Sequence, residues 1–140
     1  MASEISPQVS NVYLGTVDPS GSPEYFIMKA PAACKAKLLK CYVVNATARA
    51  KHGTDFNTFT LNRIRAAVAT AIGSGSTEDI TAGTALATDV PFEITLTSEA
   101  LSELNAGDVL QMVFTEGAAD LDLTECSVMC EWVCGTGKGQ

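Results

Sequence analysis

A chain of 140 residues, 46% hydrophobic and 18% charged, has the size and composition of one ordinary globular domain. It has no apolar run near the roughly 20 residues of a membrane-crossing helix, and residues 1–7 lack the basic and apolar regions of a secretory signal, so the expectation is a cytoplasmic product with no membrane partner. The net charge of −7 and pI near 4.5 weigh against nucleic acid as a partner, because such a molecule repels phosphate at long range.

In chain order, residues 1–10 are polar with Pro7, and they read as a flexible arm that orders on a neighbour. A single domain is expected over 11–134, and 135–140 as a mobile tail. Short strands are predicted at 12–17 and 24–28, parted by the turn residues Asp18, Pro19, Ser20 and Gly21. Residues 37–45 are β-branched and aromatic toward their end, and 57–64 carry Phe59 and Leu61 on one face. The stretch 65–72 is alanine-rich, which favours a helix, but its place after a strand favours continuation, and we read it as strand. Gly73, Ser74, Gly75 and Ser76 then read as a turn.

Residues 90–96 alternate, with Val90, Phe92, Ile94 and Leu96 pointing one way and Glu93 and Thr95 the other. Ser98 can cap one or two helical turns ending before Gly107. In 109–116, Leu110, Met112 and Phe114 share a face, and in the last strand Cys126, Val128, Cys130, Trp132 and Cys134 do the same. Seven or eight short strands predict an all-β, two-sheet β-sandwich of jelly-roll type with at most one or two short helices.

Charge is unevenly spread. Residues 29–65 hold eight of the nine basic side chains against Asp55 alone, whereas 66–137 hold twelve acids and no Lys or Arg. Either basic strands pair with acidic ones inside one sandwich, or each patch faces another subunit. On the second reading Lys35 and Lys37, sharing one strand face, and Arg63 and Arg65, sharing another, are the candidate protein-contact residues.

No cofactor or metal is expected. Five cysteines without a secretion signal read as free, mostly buried thiols. Cys126, Cys130 and Cys134 cannot share one zinc on a strand, where residues four apart are separated by about 13 Å. His52 precedes a glycine in a turn and reads as exposed and inert. Asp120, Asp122 and Glu125 lack calcium-loop spacing, and the glycines around Thr136 and Lys138 lack the helix that a phosphate loop needs. Nothing forms a catalytic constellation, so no enzyme is expected.

The order of features at 26–31 leading into the strand at 34–45, then 55–61, 90–96, and the run Leu104-Asn105-Ala106-Gly107-Asp108-Val109-Leu110 before the closing strand resembles the small capsid decoration, or cement, proteins of tailed bacteriophages. That resemblance implies a homotrimeric jelly roll on the virion, bound to the major capsid protein on the outer surface of an assembled capsid. It would reinforce the shell by contact area. The alternative is a receptor- or carbohydrate-binding β-sandwich of a viral fibre, which would display exposed aromatics for stacking.

Overall fold

The computed structural model describes residues 7–78, 83–118 and 122–134. These form β1 (Gln8–Val17), β2 (Glu24–Lys29), β3 (Ala36–Val44), β4 (Asn57–Arg65), β5 (Val68–Ser76), β6 (Phe92–Glu93), β7 (Thr95–Leu96), β8 (Glu103–Leu104), β9 (Val109–Glu116) and β10 (Leu123–Cys134). One sheet, here sheet A, runs β1-β10-β3-β6 with β8 also pairing β3, and the other, sheet B, runs β2-β9-β4-β5-β7. All pairings between strands are antiparallel. With β6, β7 and β8 taken as one interrupted strand, the chain crosses between sheets at every connection except the β4–β5 hairpin. That is jelly-roll topology.

Alternation along the strands sets the core. Phe59 and Leu61 of β4 and Leu110, Met112 and Phe114 of β9 turn inward from sheet B, meeting Leu38, Cys41 and Val43 of β3 and Cys126, Val128 and Cys130 of β10 from sheet A. Phe59 packs edge-to-face on Phe114 within its own sheet and on Phe92 across the sandwich, with centroids 5.7 and 5.3 Å apart. Such pairs add about 0.5–1.5 kcal/mol each beyond the area they bury.

The stretch 65–72 is not a continuous strand but a hairpin, reversing at Ala66 and Ala67 with φ of +51° and +65°. Both residues occupy the left-handed region, as a two-residue turn between twisted strands requires, although the sequence carries none of the usual Asn or Gly there. Gly73 to Ser76 are not a turn but the second half of β5, opposite Thr58 to Leu61. Their glycines serve packing: a Cβ on Gly75 would lie 2.6 Å from Cε1 of Phe92.

Ser98 caps as expected, its Oγ accepting from the Leu101 N–H at 3.2 Å, yet the turn it starts runs directly into β8 without becoming a helix. Among the described residues the helical element is the single 3-10 turn Pro19–Gly21. In 90–96 the inward set is Phe92, Ile94 and half-buried Leu96, whereas Val90 is 52% exposed.

The cysteines divide. Cys41, Cys126 and Cys130 are free and buried, but Cys34 and Cys134 form a disulfide with Cα atoms 5.5 Å apart, so two of the five are not free thiols. Strand pairing explains it. Cys134 ends β10 opposite Ala36, and Cys34 lies just before the start of β3, which brings the two to the spacing disulfides use. The register responsible links residues a hundred positions apart and is invisible in the local pattern.

Gln8 to Ser10, read from sequence as the end of the arm, pair with Trp132 to Cys130 in β1, and the Trp132 indole N–H donates to Ser10 Oγ at 3.1 Å. Residues 1–6 of the arm and the tail at 135–140 lie outside the described residues.

Candidate contact surface

The four candidate contact residues converge on one segment, the connection between β7 and β9. Lys35 and Lys37 flank the start of β3 and reach Glu103 and Glu99 at 3.8 and 3.4 Å. Arg63 and Arg65 share the inward side at the end of β4, where the core layer opens. Arg63 Nη1 donates to the Leu101 and Glu103 carbonyls at 3.1 and 3.3 Å. Arg65 grips Asp108, with Nη2 2.7 Å from Oδ2 and Nε 3.1 Å from each carboxylate oxygen.

Other basic residues behave alike. Lys40 pairs with Glu93 at 3.0 Å, and that carboxylate holds the lysine above its ordinary pKa. Arg49 donates to the carbonyl of Asp122. Six of the eight basic side chains in 29–65 are thus met by acids or carbonyls of the second half within one chain.

His52 sits in its turn with Nδ1 accepting from the backbone N–H groups of Thr54 and Asp55 at 3.1 and 2.9 Å, its side chain 53% exposed. Among the described residues no three His, Cys, Asp or Glu side chains are grouped to hold a metal. Asp120 of the acidic loop and the glycines around Thr136 and Lys138 lie outside the described residues.

The two outer faces differ in kind. On sheet A, outward positions across β1, β10 and β3 include Val9, Glu131 and Lys40 in one row and Asn11, Met129 and Tyr42 in the next, with Glu93 of β6 beside Tyr42. Tyr13 stands above this face, 65% exposed. On sheet B, the register across β2, β9, β4 and β5 places Thr115, Thr58 and Ser76 in one row, then Glu24, Val113, Thr60 and Ser74. The next row is Phe26, Gln111, Asn62 and Ala71, and the last Lys29, Val109, Ile64 and Ala69.

Within these four rows charge occurs only at the β2 edge, at Glu24 and Lys29. A ladder fixes the middle of the face: Asn62 Nδ2 donates to Gln111 Oε1 at 3.1 Å, and Gln111 Nε2 to Glu24 Oε1 at 3.2 Å. This face has neither the charge nor the aromatic clusters that mark a contact surface in a sequence. Its signal was present in the uncharged outward set Thr58, Thr60 and Asn62 of β4, but only the neighbouring strands turn a strip into a surface.

Fold and surface together define an all-β, two-sheet antiparallel sandwich. No protein-family model matches the chain, and no curated protein matches it. Among solved structures, it is similar to a chain of the cyanophage Pam1 capsid asymmetric unit at 16% identity and a TM-score of 0.46, covering 96% of this chain and 92% of that one. It is also similar to chains from structures of infectious bursal disease virus, Gx strain (14% identity, TM-score 0.44) and Gt strain (13%, 0.41), in each case over 95% of this chain. It spans about a third of the length of those two chains, 33% and 34%.

Proposed function

We propose that the protein is a structural component of a virion, a jelly-roll module that binds the outer surface of an assembled phage capsid and stabilises it. The observation that carries this reading is the strand order of the two sheets, an architecture that recurs in viral capsid domains. It agrees with the resemblance in the sequence. Two features support it. The disulfide suits a protein that works outside the reducing cytoplasm, as a released particle does. The internal pairing of Lys35, Lys37, Arg63 and Arg65 leaves docking to contact area more than to charge, with these four at most adjusting the approach.

The test is to incubate the purified protein with undecorated capsids of its phage and image them by electron microscopy, then to heat decorated and bare shells. Ordered density on the outer surface and a higher disruption temperature are expected. Bare shells at saturating protein would overturn the proposal. The second reading, a carbohydrate-binding sandwich of a fibre, is favoured by Tyr13, whose exposed ring could stack on a sugar face. Glycan-array binding abolished by Tyr13→Ala would select it.

A further inference from the structure

We propose that the outer face of sheet B is the contact between two copies of this chain, packed back to back about a two-fold axis. Each copy carries −7, so copies repel at long range and meet most easily through a face low in charge. The outer face of sheet A carries Lys40, Glu93 and Glu131, and the end of the sandwich the Lys35–Glu103 and Lys37–Glu99 pairs, charges that a contact there would have to desolvate. The four rows on the outer face of sheet B carry no charge inside the β2 edge.

The register makes this face complementary to itself. With the axis along the strands between β9 and β4, each row meets its own copy reversed, so β2 of one molecule lies over β5 of the other. Phe26, at 70% the most exposed large hydrophobic among the described residues, then falls on the second copy's small Ala71, and Val109 on the second copy's Ile64. No like charges meet. The threonine and serine hydroxyls both donate and accept, so they can pair with their own kind.

The area suffices. The four strands, six to nine residues long and about 4.8 Å apart, cover roughly 19 by 27 Å, so a pair buries on the order of 1,000 Å². A specific interface needs about 1,000 Å² in total. Two copies, and not the three implied by the resemblance, are what a face packed on itself closes. The inference concerns the contact between copies and is independent of what they dock on.

Sedimentation velocity of the full chain over a concentration series tests it. The wild type should sediment as two copies. Thr60→Lys, near the axis, and Phe26→Lys, largely solvent-facing and outside the core, should each raise the dissociation constant at least about tenfold with an unchanged circular dichroism spectrum. Asn11→Lys, the same added charge on the outer face of sheet A, should leave the pair intact. A wild type that is monomeric or trimeric throughout, or pairs that survive both sheet B substitutions, would overturn the proposal.

Discussion

Arg65 closes on Asp108 across 43 positions of sequence, joining the end of β4 to the turn that starts β9. Asp108 is 3% exposed and also accepts from the Asn105 N–H at 2.8 Å, so one carboxylate holds both the arginine and its own turn. The Arg65 hydrogen bonds hold its pKa below the ordinary 3.8.

Asp108→Ala should therefore cost about 2 kcal/mol in urea denaturation at neutral pH, the usual scale for losing a charge-assisted hydrogen bond with one partner still partly in water. The folded-state pKa is lowered, so the unfolded chain takes up the proton first as pH falls. Stability is complete well above the ordinary value and is lost as pH falls through it toward and through the lower folded-state value. Asp108→Asn should flatten that limb of the stability profile. A profile indistinguishable from wild type would remove Asp108 from the account of acid sensitivity.

Reduction of Cys34–Cys134 releases a loop of 100 residues and should lower stability by about 3 kcal/mol. The remaining thiols should stay silent. Burial pushes Cys126 up to about 12, Cys41 is raised well above its usual range by its hydrogen bond with Cys130 and by burial, and Cys130 is shut away from solvent in the core, so alkylation at pH 8 should modify none of the three in the native state. Quantitative labelling of folded, oxidised protein would contradict the buried placement.

Gly75→Ala should destabilise by about 1–3 kcal/mol, because the added methyl meets a Phe92 ring already held against Phe59. Gly21→Ala, with nothing within 4 Å of the new atom, is the matched control and should lie within about 0.5 kcal/mol of wild type. Equal melting temperatures for the two variants would deny the close approach.

Replacing Ala66 and Ala67 by Asn and Gly should stabilise the protein by about 1–2 kcal/mol. Both alanines sit at positive φ, where an L side chain with a Cβ is strained and Asn-Gly is not. Thermal unfolding measures the gain, and a loss of stability would mean that the hairpin turns in another way.

Reversing Lys35 and Lys37 together to Glu should change stability by no more than about 1 kcal/mol, since both pairs lie at the surface. Reversing Arg65 should cost more, because it drives a carboxylate toward buried Asp108. Capsid association rates that respond strongly to the lysine pair, with stability unmoved, would return those two residues to a contact role.

Where a strand carries its own alternation it is legible in the sequence. Val109–Glu116 is one such strand, with the large residues on every second position and a glycine turn before it. β5 was not legible, because the glycines that let Phe92 and Ile94 approach have the composition of a turn, and only the opposing strand reveals their purpose. The four basic candidates were found by charge, but that their partners lie on the connection between β7 and β9 follows from topology. The disulfide and the uncharged face fail to appear for the same reason: both are properties of which strand lies beside which.

The covalent link between Cys34 and Cys134 also divides the chain mechanically. Everything from β3 to β10 lies inside a closed ring, whereas β1 and β2 lie outside it and are held by hydrogen bonds and packing alone. Tension applied between the two ends passes from one side of the ring to the other through two sulfur atoms. At roughly 3.4 Å per residue, more than 300 Å of contour is withheld from extension. Only the segments outside the ring can lengthen, and β1, joined to β10 along its length, is the seam that gives first.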